Sequence, residues 1–299
     1  MATYSSQIAS SLAPLLLAFC HLTAACAESG APAVSPDVMR RYEFGYIGVS
    51  LRYGYELLDA ALERSVTRYG AYRVEPVLIE MSIARLQKEA VKGDLVNVVV
   101  RATNSRRETD EELISIDIPL DKGLNGYRVA IIRASDQDRL ARIGDIAGFR
   151  QLRIGIGEQW NDVPIYRHNG IPLVAAREYE SLLGMLERER FDLFPRPVTG
   201  IISEFNALKE QYPSLAIEQH LLIHYPLGMY AFVSKSAPRL AERIRYGLEE
   251  MQKDGSMDKH FDQYFAQTVT DLHLSTRTII ELENPYLPGW AKTYRLEWH

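Results

Sequence analysis

Cysteine is nearly absent from this sequence, with 2 residues among 299. Both of them, Cys20 and Cys26, lie near the start of the chain. The remainder therefore has no disulfide, no cysteine-ligated zinc site and no cysteine nucleophile. Stability must come from the core, and a hydrophobic content of 46% supplies one of ordinary size.

Concentrated charge of one sign is missing as well. The formal net charge of -5 is spread over mixed acidic and basic stretches. Because a nucleic-acid-binding protein needs a basic block as its electrostatic footprint, we expect no nucleic-acid partner.

The first 27 residues contain no Asp, Glu, Lys or Arg. They hold an apolar run, Leu12 to Leu22, that is too short to span a membrane and is followed by the small residues 23–27. This pattern predicts a signal peptide over residues 1–27 and a flexible lead-in over 28–36. Export without disulfides fits the periplasm. Lipoprotein anchoring through an acylated Cys26 is the alternative.

Motifs of common enzymes and cofactor sites are also lacking. The sequence has no Gly-x-Ser-x-Gly elbow, no His-Glu-x-x-His and no Walker loop. The turn at Gly155 and Gly157 has Trp160 where a dinucleotide fingerprint needs its third glycine. His220 and His224 are four apart, but no third zinc ligand is indicated. We therefore expect no catalytic residue, no metal and no cofactor.

What is present is a repeated alternation of helical and strand-like apolar spacing. Ser82 is placed to cap a helix that Gly93 ends, and a strand over 95–100 follows. Strands over 152–156, 173–175 and 191–194, with helices between them, repeat the pattern. The extended segments 126–133 and 229–233 are suited to pass between two units. The sequence thus predicts an α/β protein with two open, mostly parallel sheets and helices on both faces.

Three strings carry a family resemblance: "KGDLVNVVVRATNSRRE", "GYRVAIIRASDQDRLARIGDIAGFRQLRIGIGEQW" and "FVSKSAPRLAERIRYGLEEMQKDGSMDKHFDQYF". They resemble, in the same order, segments of the bacterial extracellular solute-binding proteins of family 3, which have the type II periplasmic binding protein fold. The resemblance covers nearly all of residues 37–280.

The resemblance implies two hinged lobes that close on a ligand. Lobe 1 comprises residues 37–126 plus 228–299, and lobe 2 comprises 127–227. The implied partners are a small-molecule solute and an inner-membrane permease or sensor, with the protein itself a monomer.

The resemblance also implies ligand-binding residues in lobe 1. Amino-acid binders of this family use an arginine in the loop after the buried strand to hold a carboxylate. Here that loop begins at Thr103, and Arg107 is the preferred match, with Arg106 as the second choice. A planar guanidinium suits a carboxylate because it makes two parallel charged hydrogen bonds. The alternative is a solvated loop in which the following acidic residues pair with both arginines.

In lobe 2 the strand-to-helix turn faces the cleft in the resembled fold. Gly157 lets the backbone approach a ligand, Asn161 or Asp162 caps the helix, and Trp160 offers either an apolar platform or core packing. Arg196 stands where the family has an acidic residue for the ligand ammonium, which counts against an ordinary amino acid and favours an anionic or aromatic solute. A surface position for Arg196 is the alternative.

The expected function is capture of a small polar or anionic solute between the lobes, with an ABC-transporter permease as the expected partner. Two alternatives stay open. One is a stand-alone periplasmic sensory or accessory protein without a permease. The other is a periplasmic dehydratase-like enzyme on the same fold, because fold does not fix function.

Overall fold

The structure is a computed structural model that describes residues 36–43, 45, 48–103, 111–291 and 295–296. The predicted signal peptide, both cysteines, Arg106 and Arg107 lie outside the described residues. The helices are α1 (Val49–Arg64), α2 (Val66–Tyr69), α3 (Ile83–Lys92), α4 (Gln137–Leu140), α5 (Ile146–Phe149), α6 (Val163–His168), α7 (Tyr179–Glu187), α8 (Ile201–Leu208), α9 (Pro238–Lys253) and α10 (Ser256–Asp271). The strands are β1 (Asp37–Tyr42), β2 (Tyr72–Val77), β3 (Val98–Ala102), β4 (Leu113–Ser115), β5 (Tyr127–Arg133), β6 (Ile154–Gly157), β7 (Leu173–Ala176), β8 (Phe194–Pro197), β9 (Leu215–Ile217), β10 (Leu221–His224), β11 (Met229–Ser234) and β12 (Thr278–Glu281).

The first sheet has the strand order β2-β1-β3-β11-β4. Its side chains alternate between two apolar layers, as the pleat of a strand requires. Val98 and Val100 of β3 pack in the core that contains α1 and α9, whereas Val99 packs with α3 and with Tyr230 and Phe232 of β11. Helices therefore cover both faces of this sheet.

The second sheet has the order β12-β10-β5-β8, and β9 also pairs with β5. Val129 and Ile131 of β5 face the core that contains α7, while Ala130 and Ile132 face the one that contains α5 and α6. Strands β6 and β7 form a parallel pair, and a parallel bridge between Ile154 and Leu193 joins this pair to the chain just before β8. The predicted α/β class, with helices flanking the sheets, is confirmed.

Strand direction differs from the expectation of mostly parallel sheets. β1 runs parallel to β2 and β3, but β11 runs antiparallel to β3 and β4, and β5 runs antiparallel to β8, β9 and β10. The cause is the route of the chain, because β11 enters the first sheet from the edge at which β3 ends. Met229, its first residue, lies opposite Ala102, the last residue of β3. Both sheets are mixed.

The chain passes between the sheets at the two predicted places, before β5 and before β11. It passes again after α10, since β12 pairs with β10 in the second sheet. Residues 228–299, predicted to belong to lobe 1, thus include one strand that pairs within the second sheet. Among the described residues, no helix combines the length and apolar character needed to cross a membrane.

Local sequence signals account for several boundaries. Ser82 is the N-cap of α3, where its Oγ accepts a hydrogen bond from the N–H of Arg85 at 3.3 Å. Gly93 ends the helix in the left-handed conformation, which glycine adopts without strain. Tertiary contacts decide other boundaries. Ser236 is a residue type that favours helix caps, but its hydroxyl bonds Ser234 and α9 begins at Pro238.

Candidate functional site

A cleft of about 780 Å³ lies between the two sheets. Val100, Ala102 and Met229 of the first sheet give one wall an apolar surface. The other wall consists of the end of β8 and the start of α8, and it is mostly polar. Its residues in the cleft are Arg196, Pro197, Thr199, Gly200, Ser203 and Glu204.

Arg196 lies on β8, and its side chain is 18% exposed. Its Cζ is 4.6 Å from the centroid of the Trp160 ring, with the Phe194 and Tyr179 rings at 5.2 and 5.4 Å. Its Nε lies 2.6 and 2.9 Å from the two carboxylate oxygens of Glu204. Stacking and the ion pair together hold the guanidinium in one orientation.

The two outer nitrogens of this guanidinium, Nη1 and Nη2, differ from Nε in their hydrogen bonding. No partner within the described part of the chain hydrogen-bonds Nη1 or Nη2 of Arg196. Because Arg196 lines the cleft, these donors are suited to an acceptor that enters it. The arrangement matches the two-pronged recognition of a carboxylate.

Glu204 has a second partner, Tyr179, whose hydroxyl donates to Oε1 of the carboxylate. Burial and this bond to a carboxylate raise the pKa of Tyr179 above its ordinary value, so the phenol remains a donor at neutral pH. Glu204 is therefore held from α7 and β8 at once.

The predicted turn after β6 is described in full. A side chain at Gly157 would collide with the Trp160 indole, so this glycine makes room for the ring. Trp160 is half-buried and stacks on Phe194 with centroids 6.0 Å apart. Its ring thus supports Arg196 and joins the apolar core at the same time.

Asp162 occupies the N-cap position of α6, but its side chain does not cap the helix. Its Oδ2 accepts hydrogen bonds from Nε and Nη2 of Arg128, both at 3.2 Å, and from the Tyr225 hydroxyl at 2.7 Å. Burial raises the pKa of Tyr225 well above its usual value, which keeps this donor neutral. Asp162 thus ties α6 to β5 and to the end of β10.

The structure brings the described predicted residues together in two cavities beside the cleft. Thr103, Asn161 and Asp162 line a cavity of about 150 Å³ that shares Ala102 and Asn125 with the cleft. A groove of about 420 Å³ is lined by Trp160, Asn161, Asp162 and Arg196, with four further residues. Gly157 and Trp160 also border a third pocket, of about 420 Å³.

Sequence reasoning missed Glu204, Tyr179, Arg128 and Asp121. Asp121 lies between β4 and β5, and its carboxylate accepts the N–H groups of Gly123, Asn125 and Met229 at 3.1, 2.8 and 3.0 Å. Asp121 therefore links the two chain segments that pass between the sheets, one before β5 and one before β11. Glu204 lies in the first turn of α8, shortly after Arg196, where an acidic residue is favoured by the helix dipole.

The two histidines considered for zinc bond to β12 instead. His220 Nε2 lies 3.1 Å from the Thr278 hydroxyl, and His224 Nδ1 lies 2.6 Å from Glu281. Within the described ranges, no group of three or more His, Cys, Asp or Glu side chains is arranged to hold a metal ion.

Comparison with known proteins gives neither a matching family model nor a matching curated protein. Three solved structures that resemble the chain are an ancestral arginine-binding protein bound to arginine, the L-cystine solute receptor of Neisseria gonorrhoeae, and an amino acid ABC transporter substrate-binding protein from Streptococcus pneumoniae bound to L-arginine. Their identities are 15%, 14% and 11%, and their TM-scores 0.49, 0.49 and 0.48. The matches cover 76%, 77% and 77% of this chain and 98%, 94% and 93% of the other.

All three neighbours are binding proteins for amino acids. At these identities and TM-scores the likeness says nothing about what this chain binds, and the α/β class rests on the sheets and helices described above.

Proposed function

We propose that this chain is a solute-binding protein that holds a small polar or anionic solute, bearing a carboxylate, in the cleft between its two sheets. The proposal rests on the surroundings of Arg196. This guanidinium is fixed by Glu204 and the Trp160 ring, lines the cleft, and has Nη1 and Nη2 without a partner among the described residues.

The charge balance of the cleft supports an acidic solute. Among the described residues that line the cleft, only Arg196 and Glu204 are charged, and they offset each other, so helix ends supply the remaining field there. Both α1 and α8 begin at the cleft, at Gly48 and Gly200, and neither start has a side-chain cap. Free N–H groups and the helix dipole make such ends favourable for negative charge.

The opposite wall supports a solute whose body is partly apolar. Val100, Ala102 and Met229 face the cleft from the first sheet. Burying an apolar group against them contributes roughly 25 cal/mol per Å² of area removed from water. A ligand that touches both walls stabilises one relative position of the sheets, because only that position gives both sets of contacts.

The proposal extends to Arg107, with Arg106 as the second choice, as a further carboxylate contact beside Thr103. It also includes export to the periplasm and a permease or sensor of the inner membrane as partner. These parts come from the leader pattern and the family resemblance.

The proposal is tested by mass spectrometry of compounds that co-purify with the natively exported protein. A thermal-shift screen of carboxylic acids, each paired with its amide, follows. We expect an acid to raise the melting temperature and its amide to have little effect. Arg196→Gln should abolish the shift, and Arg107→Ala should reduce it.

Arg177→Gln is the matched control, because Arg177 is exposed and pairs with Glu158 away from the cleft. It should keep the full shift. An Arg196→Gln variant that keeps the full shift would remove Arg196 from the site. A screen in which acids and amides act alike would refute the carboxylate.

A further inference from the structure

The described residues after β12, 282–291 and 295–296, contact both sheets in turn. Its first anchor is on the second-sheet side, at Asn169 after α6. The N–H of Glu283 donates to Asn169 Oδ1 at 2.9 Å, and Asn169 Nδ2 donates to the Glu283 carbonyl at 2.8 Å. Asn169 is itself buried, and both bonds are partly buried.

The next anchors are at the passage before β11 and on the first sheet. Asn284 Nδ2 donates to the Pro226 carbonyl at 2.8 Å. Trp290 then meets Tyr230 and Phe232 of β11 edge-on, with ring centroids 5.1 and 6.1 Å apart. Such aromatic contacts have a specific geometry in addition to their buried area.

The last described residues lie against the second sheet again. Arg295 pairs with Glu281 of β12 at 3.1 Å, and the N–H of Leu296 donates to the Tyr127 hydroxyl at 3.1 Å. The side chain of Leu296 is buried. The segment therefore has a first-sheet anchor between two second-sheet anchors.

We infer that residues 282–291 form a strap that positions the two walls of the cleft by fixing the angle between the sheets. Rotation of one sheet against the other changes the distance between Asn169 and the Tyr230 contact of Trp290. The chain between these anchors is short and contains Pro285 and Pro288, whose fixed φ angles limit its ability to stretch. A change of angle therefore breaks an anchor. The inference goes beyond solute binding, because it concerns the protein without ligand.

Distances between spin labels on the two sides test the strap directly. We place labels at Lys259 on α10, which packs with α9 on the first sheet, and at Lys209 after α8. Both positions are exposed, and Cys20 and Cys26 are replaced by serine. The parent protein should give one narrow distance distribution. Trp290→Ala should add a second population at longer distance.

Asn169→Ala releases the other end of the same strap. It should add the same population, and the double variant should go no further than either single variant, because one strap is lost in all three. Trp290→Phe keeps an aromatic ring and should restore the narrow distribution. If Trp290→Ala does not fold, as judged by circular dichroism, Asn169→Ala carries the test.

Tyr246→Ala is the control, since Tyr246 packs on Tyr69 within the first-sheet helices, with centroids 5.8 Å apart. It should lower the melting temperature and leave the distance distribution unchanged. An unchanged distribution in folded Trp290→Ala and Asn169→Ala overturns the inference. Equal broadening by Tyr246→Ala also overturns it, because the effect would then follow stability rather than the strap. Neither result depends on a solute, so the proposed function is tested separately.

Discussion

Arg128 and Arg196 lie on neighbouring strands and border the same groove, yet their surroundings differ. On β5 and β8, Arg128 is opposite Pro197 and Arg196 is opposite Val129. Arg128 donates from Nε and Nη2 to Asp162 and from Nη1 to the carbonyls of Asn125 and Tyr127. Arg196 uses Nε alone. The first guanidinium is committed to structure, and the second is oriented with its outer donors unused.

The difference is one of burial and of the number of bonds. The side chain of Arg128 is 4% exposed, against 18% for Arg196. A charge that deep is tolerated only when its hydrogen bonds are satisfied within the protein. A partly exposed arginine keeps some hydration and can exchange water for a ligand. The role of each arginine therefore depends less on its position in a strand than on how many of its guanidinium N–H groups have partners within the protein.

Replacing Arg128 should have the largest effect. Arg128→Met removes a buried guanidinium and leaves the half-buried Asp162 carboxylate without its cation. Loss of one partner of a buried pair costs up to about 3–5 kcal/mol of unfolding free energy. Urea unfolding followed by circular dichroism measures this loss. Thermal shift on the surviving folded fraction shows whether Arg196 still responds to a ligand.

Arg139→Met is the matched control for this substitution. Arg139 pairs with Asp136 and Asp192, but its side chain is 47% exposed. Exposed pairs contribute about 0–1 kcal/mol. Equal losses for the two variants would contradict the distinction between a committed arginine and a surface one.

Asp121 extends the comparison to a buried carboxylate that is satisfied by backbone N–H groups. Burial raises its pKa to about 6, although the N–H groups of Met229, Asn125 and Gly123 lower it. The native state thus binds a proton more tightly than the unfolded chain, whose Asp has a pKa near 4. The resulting stability is fully present in acid and is lost as pH rises from about 4 through about 6, by roughly 2–3 kcal/mol.

Asp121→Asn removes this titration. The difference in unfolding free energy between the parent and the variant should therefore change between pH 4 and pH 7, with the parent losing stability relative to the variant as pH rises. Urea titrations at a series of pH values measure the difference, in which the other titrating groups cancel. Parallel pH profiles for the two proteins would show that Asp121 has an ordinary pKa.

Much of the fold could be predicted because its signals are local. The cap at Ser82, the stop at Gly93 and the apolar strand before Ala102 are readable within a few residues. The strand predicted over 191–194 begins and ends earlier than β8 does, because Pro195 and Pro197 are residues that a strand pattern does not normally contain. Prolines are tolerated there since β8 is an edge strand. The strand directions depend on where the chain passes from one sheet to the other, and the spacing of apolar residues does not indicate this.

The site was less predictable, for a related reason. Arg196 could be singled out by its charge, but its role depends on Trp160, Tyr179 and Glu204, which reach it from three other elements. Asp162 shows the opposite case. Its position suggested a helix cap, whereas its carboxylate accepts a hydrogen bond from Arg128, 34 residues away. Pairing over such separations is a property of packing.

Removing the counter-charge of Arg196 should have the smallest effect on stability. It is also the most direct test of the difference between Arg196 and Arg128. Glu204→Gln keeps an oxygen for Nε but loses the ion pair, which for partly exposed groups costs at most about 1 kcal/mol. The negative charge that offsets Arg196 disappears, so an acidic solute should bind more tightly. Thermal shift with the compound released from the natively exported protein measures this gain, with Arg177→Gln again unchanged. A shift lost as completely as in Arg196→Gln would mean that Glu204 itself contacts the solute, and the cleft would then select a group that donates hydrogen bonds.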